Sequence, residues 1–136
     1  MVVVRIASLV LLLCCSAVAQ EPDVNVDSGL VCDTPQQVER FAAIYDGDAD
    51  AALATVNAEA DSPDACTIAT FAFVLGPPVA VIKNDRGTFH VMQVLVLGVY
   101  TDAGFEAVVP QTFFTLAEIG EGTGVVLIHG RGRAAP

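Results

Sequence analysis

The chain has 136 residues, 54% of them hydrophobic, and its 16 acidic against 6 basic residues give a formal net charge of −10. This length suits one domain of ordinary size and is too short for two. An acidic surface repels nucleic acid and anionic lipid, so neither is expected as a partner, whereas a basic protein or a cation is electrostatically favoured. The alternative is that the charge only keeps the protein in solution.

The first 19 residues are typical of an export signal. Arg5 precedes an apolar run over residues 6–13, and the small residues Ala17 and Ala19 stand where a signal peptidase would cut. The run is shorter than the roughly 20 apolar residues that span a membrane. No later segment is long and apolar enough either, so we expect a periplasmic or secreted protein with no membrane span in the mature chain.

Residues 20–28 are polar and aperiodic, which predicts a flexible arm, and a single globular domain is expected over residues 29–128. A first helix is predicted in the segment CDTPQQVERFAAIY. Thr34 can cap this helix, Pro35 suits its first position, and Gln37 completes a capping box. Apolar residues follow at helical spacing, so one side of the helix should be buried.

Three aspartates, Asp46, Asp48 and Asp50, have the alternating spacing with which a calcium loop of the EF-hand type begins. Such a loop also needs glycine at its sixth position and glutamate at its twelfth. Ala51 and Asn57 occupy these positions, so the sequence does not support an EF-hand. The favoured interpretation is that Asp48 caps a second helix and that Asp50 interacts with its positive end. A weaker cation site at the three carboxylates is the alternative.

From residue 66 onward the pattern changes from helical to extended. Residues 66–75 are β-branched and aromatic on both faces, as in a strand buried on both sides, and residues 76–78 should end that strand. Turn residues at 84–87 and 101–104 predict two hairpins. Further strands are predicted over residues 79–83, 88–100, 105–109, 112–119 and 123–128.

The predicted fold is therefore α+β. Two short N-terminal helices are followed by an antiparallel meander of five or six strands, and a small SH3-like barrel is one form that such a sheet can take. The last residues, 129–136, are rich in glycine and arginine and are expected to form a disordered tail.

Two cysteines, Cys32 and Cys66, remain once the export signal is removed. An even number of cysteines in a chain sent to an oxidising compartment is typical of a disulfide. We predict that the two residues pair, which closes a loop of about 35 residues and stabilises the fold by roughly 3 to 4 kcal/mol. Two free thiols are the alternative.

Side chains suited to catalysis are scarce in this sequence. Ser28 and Ser62 lack the G-x-S-x-G context of a serine hydrolase. His90 and His129 have no partner at metal-ligand spacing, and His90 is expected on the open side of the sheet. The segment GEGTG at 120–124 lacks the lysine and the helix of a phosphate-binding loop. We therefore expect neither an enzyme nor a cofactor.

Three segments carry a resemblance to a known group of proteins: GLVCDTPQQVERF at residues 29–41, VNAEADSPDACTIATFAFVLG at 56–76 and GTFHVMQVLVLGV at 87–99. They resemble small exported proteins of uncharacterised function from rhizobial alphaproteobacteria. The resemblance ends near Leu116 and includes both cysteines, so it implies a disulfide-stapled periplasmic or secreted domain. It implies no activity and no site residues.

The leading functional hypothesis is an exported, non-enzymatic domain that binds another protein of the cell envelope, a basic one by charge, through a sheet face or edge. One alternative is an inhibitor of a basic secreted enzyme such as lysozyme. Another is a weak calcium-binding module at Asp46, Asp48 and Asp50. The sequence leaves the partner and the oligomeric state open.

Overall fold

The computed structural model describes residues 20–120 and 124–127. The elements in these ranges are β1 (Val24–Cys32), α1 (Pro35–Ile44), α2 (Ala49–Glu59), β2 (Cys66–Asn84), β3 (Gly87–Thr101), β4 (Gly104–Gly120) and β5 (Gly124–Leu127). The predicted export signal at residues 1–19 and the predicted tail at residues 129–136 lie outside the described residues.

Within the described residues, the strands form one antiparallel sheet in chain order, β1-β2-β3-β4-β5. The two helices connect β1 to β2, and tight turns connect β2 to β3 and β3 to β4. One further rung pairs Cys32 of β1 with Phe114 of β4. The sheet is therefore curled, so that β1 and β4 meet at this rung, but it is not a clear barrel.

The predicted order of helices and strands is wrong, and so is the predicted barrel. A strand comes before the helices, and β1 includes residues 24–28 of the predicted flexible arm. Four strands follow the helices in the described chain, not five or six, and the SH3-like barrel is not formed, so α+β fits only loosely. The backbone groups of β2 need hydrogen-bond partners, and β1 supplies them from Val24↔Val74 to Cys32↔Cys66.

Two strands are longer than predicted because they continue through prolines. β2 continues across Pro78, and β4 continues across Pro110. Proline lacks the N–H of a ladder and is tolerated at sheet edges and bulges. β1 pairs only with the first part of β2, and the β2–β3 register shifts on both sides of Pro78. The β3–β4 register shifts between Val96 and Gly98, opposite the segment that contains Pro110.

The predicted helix start and hairpin turns are confirmed. Thr34 Oγ1 accepts a hydrogen bond from the N–H of Gln37 at 3.3 Å, and Gln37 Oε1 accepts one from the N–H of Thr34 at 3.0 Å. Gly87 and Gly104 close the two turns with φ values of +140° and +107°. These values lie in the region that glycine adopts without steric cost.

The two faces of the sheet are buried in different ways. On the convex face the helices cover the strands, and the buried side chains of this core are Leu30, Cys32, Val38, Phe41, Ala52, Val56, Cys66, Val91 and Leu116. On the concave face the strands cover one another, and the buried side chains are Val31, Phe71, Phe73, Met92, Val94, Val96 and Ala117. Within the described residues this concave core contains no helical residue, so the curl of the sheet, and not a helix layer, buries it there.

Candidate functional site

The end of β1 and the start of β2 form a neck below the two helices. The predicted disulfide between Cys32 and Cys66 is confirmed, and it joins residues that face each other in the ladder, with Cα atoms 4.1 Å apart. Beyond the disulfide, the N–H of Asp33 donates to the carbonyl of Ala65 at 2.9 Å. Both cysteines are buried in the helix-covered core. The disulfide therefore closes the helical loop at its base and leaves no thiolate at these positions.

Asn57 of α2 holds the start of β2. Its Oδ1 accepts a hydrogen bond from the N–H of Cys66 at 2.7 Å. Its Nδ2 donates to the carbonyls of Pro63 at 2.8 Å and Cys66 at 3.0 Å. In the sequence, Asn57 draws notice only because it occupies position twelve of the candidate calcium loop, where glutamate is needed. Its role in holding β2 was therefore not predicted. No local pattern marks it, because its partners lie six and nine residues further along the chain.

The three aspartates of the candidate cation site lie at the start of α2. Asp48 Oδ1 accepts a hydrogen bond from the N–H of Ala51 at 3.0 Å, and Asp46 Oδ1 accepts one from the N–H of Asp48 at 3.2 Å. Asp50 lies in the first turn of the helix. Among the described residues, no three His, Cys, Asp or Glu side chains are grouped as a metal ion would need. Asp48 therefore caps α2, as the sequence favours, and Asp46 holds the backbone of Asp48.

His90 is half-buried on the concave face, which neither α1 nor α2 covers. It lies opposite Val81 of β2 and Ala117 of β4, and Ala117 belongs to the concave core. Its Nδ1 atom is buried and has no hydrogen-bond partner in the part of the chain that the structure describes. Nδ1 is therefore bonded to neither a nucleophile nor an acid among the described residues. His129 lies outside the described residues.

One part of the convex face is covered by neither α1 nor α2. Its large exposed side chains, which we call the apolar strip, are Val24, Val26, Leu95, Tyr100 and Phe105, with exposures between 38% and 55%. The Tyr100 and Phe105 rings lie 5.1 Å apart between centroids. The Phe105 ring also covers Gly98, where a Cβ atom would clash with it. Glycine at this position therefore lets the ring lie against the sheet.

On the concave face, an apolar pocket of about 200 Å³ opens beside the neck. We call it the neck pocket. All four long strands contribute to its apolar wall, which consists of Val31, Ala69, Phe71, Val96, Val99 and Phe113. Asp33, Asp64 and Thr67 complete the lining, and all three are exposed, so they form its rim.

Positive charge is missing from the sequence around both surfaces. Residues 20–32 and 93–118 contain no Lys or Arg, whereas Asp102 and Glu106 stand close to Phe105 in the sequence. Two arginines in the described chain contact groups elsewhere. Arg40 Nη2 donates to Glu59 Oε1 at 2.8 Å, and the Arg86 guanidinium lies 5.2 Å from the centroid of the Tyr45 ring.

Comparisons with known proteins identify no relative. No family model matches the chain, and neither the curated proteins nor the solved structures contain a match. Neither helix of the described chain has the length and hydropathy needed to cross a membrane. The geometry of the neck, the apolar strip and the neck pocket is therefore the basis for assigning a function.

Proposed function

We propose that the protein is an exported, disulfide-stapled, non-enzymatic domain that binds a basic protein of the cell envelope through its apolar strip. The observation that carries this proposal is the strip itself. It holds five large apolar side chains on one side of the sheet, and neither α1 nor α2 covers them. Clusters of exposed apolar residues of this kind often mark interaction sites.

The strip extends to an edge of the sheet. Val24 and Val26 lie on β1, whose only described strand pairing away from β2 is the rung at Cys32. Within the described chain, the stretch of β1 from Val24 to Val26 pairs with no strand on the side away from β2, so a strand of another chain can bond to the backbone groups there. A partner that adds a strand there would place its own apolar side chains over the strip.

Charge determines which partner fits. The sequence near the strip carries Asp23, Asp102 and Glu106, and the segments that hold these residues lack Lys and Arg. A basic partner would be attracted to this region, and its association rate would fall as salt is added. This expectation agrees with the net charge of −10 for the whole chain.

The non-enzymatic part of the proposal is supported by the partners of the candidate nucleophiles and of the candidate base. Cys32 and Cys66 are bonded to each other and supply no thiolate. Ser28 shares a hydrogen bond with Thr70, and the Nδ1 atom of His90 has no partner within the described chain. These residues therefore form no nucleophile–base pair of the kind used in covalent catalysis.

Site-specific photo-crosslinking tests the proposed surface. We would introduce p-benzoylphenylalanine at Phe105, at Val26 and, as a control, at exposed Glu39 on α1. The two strip positions should crosslink to the same basic envelope protein, and Glu39 should not. The purified partner should bind a Phe105→Asp variant at least about fivefold more weakly than the original protein. Equal crosslinking from Glu39, or none from the strip, would refute the proposal.

The acidity also favours a second candidate function, inhibition of a basic secreted enzyme such as lysozyme. Complementary charge speeds association and helps select the partner. If this candidate is correct, micromolar protein should slow lysozyme, and the inhibition should weaken in high salt. An unchanged lysozyme rate would exclude that enzyme as the target.

A further inference from the structure

We propose that the neck pocket binds the apolar group of a small organic ammonium ion, whose charge is held at the rim by Asp33 and Asp64. The neck pocket lies on the concave face and the apolar strip on the convex face. This ligand site therefore does not depend on the proposed protein partner.

The size of the pocket limits the ligand to a small apolar group. Its volume is about 200 Å³, and an apolar cavity of roughly 150 Å³ in another protein stays dry and binds benzene. Known sites for larger ligands run from roughly 300 Å³ upward. A benzene-sized ring or a branched alkyl group therefore fits this pocket.

The wall is apolar and firmly packed. Phe71 and Val96 are almost completely buried, and the Phe71 ring packs on Phe73 with centroids 4.9 Å apart. Val31 comes from the last part of β1, next to the disulfide. A pocket fixed in this way needs little rearrangement to accept a ligand, which favours binding.

The rim gives the site its charge preference. Asp33 directly follows Cys32, and Asp64 lies two residues before Cys66, so the disulfide holds both near the mouth. The bond between Asp33 and Ala65 and the bond from Asn57 to Pro63 fix the backbone on each side. Within the described chain, neither carboxylate has an ion pair or a side-chain hydrogen bond.

These features select one chemical class. A neutral apolar molecule would gain only the burial of its ring, and an anion would be repelled by two carboxylates. A primary ammonium group one carbon from the ring can remain hydrated at the rim while it faces Asp33 and Asp64. Ion pairs at exposed positions are weak, so two carboxylates should strengthen binding by roughly two- to tenfold.

The closing experiment compares three probes of nearly equal size: benzylammonium, benzyl alcohol and benzoate. Each is titrated into the oxidised protein, and the methyl NMR signals of Val31, Ala69 and Val96 are followed, with Val56 under the helices as the internal control. Benzylammonium should shift the pocket signals, bind roughly two- to tenfold more tightly than benzyl alcohol, and bind more tightly than benzoate. Shifts at Val56 alone, or none at all, would overturn the pocket assignment.

Variants then test the rim and the wall. The double variant Asp33→Asn/Asp64→Asn should lose the preference for benzylammonium but still bind benzyl alcohol, and the control Asp85→Asn should keep the preference. Ala69→Leu should fill the pocket and weaken all three probes. If Ala69→Leu does not fold, the signals of the unmodified protein still decide the location. Equal binding of benzylammonium and benzyl alcohol by the unmodified protein would refute the role of the carboxylates.

Discussion

β1 passes through two regions of the same convex face, and its side chains behave differently in each. Near the neck, Leu30 and Cys32 lie under the helices and are buried. At the other end of the strand, Val24 and Val26 have the same orientation and remain more than half exposed. The difference in burial arises because the helices cover one end of β1 and not the other, since the residues at both ends are apolar. An apolar strand in this fold is therefore buried only where a second layer covers it.

The two regions also differ in what holds them. The helix-covered region has a disulfide, the Asn57 bonds to β2, two capped helices and an ion pair between α1 and α2. The apolar strip has strand pairing and the contact between Tyr100 and Phe105. We infer that stability is concentrated at the neck.

A pair of phenylalanine substitutions should give the largest contrast between the regions. Phe41 is 2% exposed in the helix-covered core, whereas Phe105 is 53% exposed on the strip. Phe41→Ala should lower the free energy of unfolding by about 3 to 5 kcal/mol because it leaves a cavity. Phe105→Ala should lower it by about 1 kcal/mol or less. Urea unfolding measures both, and equal losses would show that the strip is as much a core as the helical region.

Removal of the disulfide should have the next largest effect. The double variant Cys32→Ala/Cys66→Ala should be less stable by roughly 3 to 4 kcal/mol, because the loop between the cysteines is no longer closed in the unfolded chain. Hydrogen exchange should show greater loss of amide protection in α1 and α2 than in the centre of β3. A reductant added to the double variant serves as the control and should change nothing. Uniform loss across the sheet would contradict the local role of the neck.

The features that could be predicted from the sequence are those with local signals. The capping box at Thr34 and Gln37, the helix start at Asp48 and the glycine turns each involve residues within four positions of one another. The cysteine pair could be predicted without its geometry, because expected export and an even count of remaining cysteines are enough for that prediction.

The features that were missed depend on distant parts of the chain. The sequence predicts a flexible arm at the start of β1 although Val24 and Val26 alternate with Asn25 and Asp27, and pairing with β2 completes the strand. The sequence predicts that the strand ends at Pro78. In the structure β2 continues, because its edge position and the register shifts accommodate the proline. Residues of four strands form the wall of the neck pocket, so no single segment of the sequence predicts it.

Substitution of Asp48 tests the start of α2, at a smaller scale. Asp48→Ala should cost about 1 kcal/mol because the N–H of Ala51 loses its acceptor. Calcium binding at the three aspartates would instead add about 2.7 kcal/mol of stability when calcium exceeds the dissociation constant a hundredfold. We expect the melting temperature to be the same in EDTA and in millimolar calcium. A higher melting temperature in calcium than in EDTA, lost in the Asp48→Ala variant, would instead support a cation site at the three aspartates.

The ion pair between the helices should give the smallest effect, visible in a titration. The hydrogen bond from Arg40, together with its charge, lowers the pKa of the Glu59 carboxyl below its ordinary value. Because the folded-state pKa is the lower one, the stabilisation is present above the unfolded-state pKa and is lost as pH falls through the folded-state pKa. NMR titration should find the Glu59 pKa depressed in the original protein and restored to its ordinary value in Arg40→Met. Because both side chains are half-exposed, added salt should reduce the difference. An unchanged pKa in Arg40→Met would show that the two helices are not linked by this pair in solution.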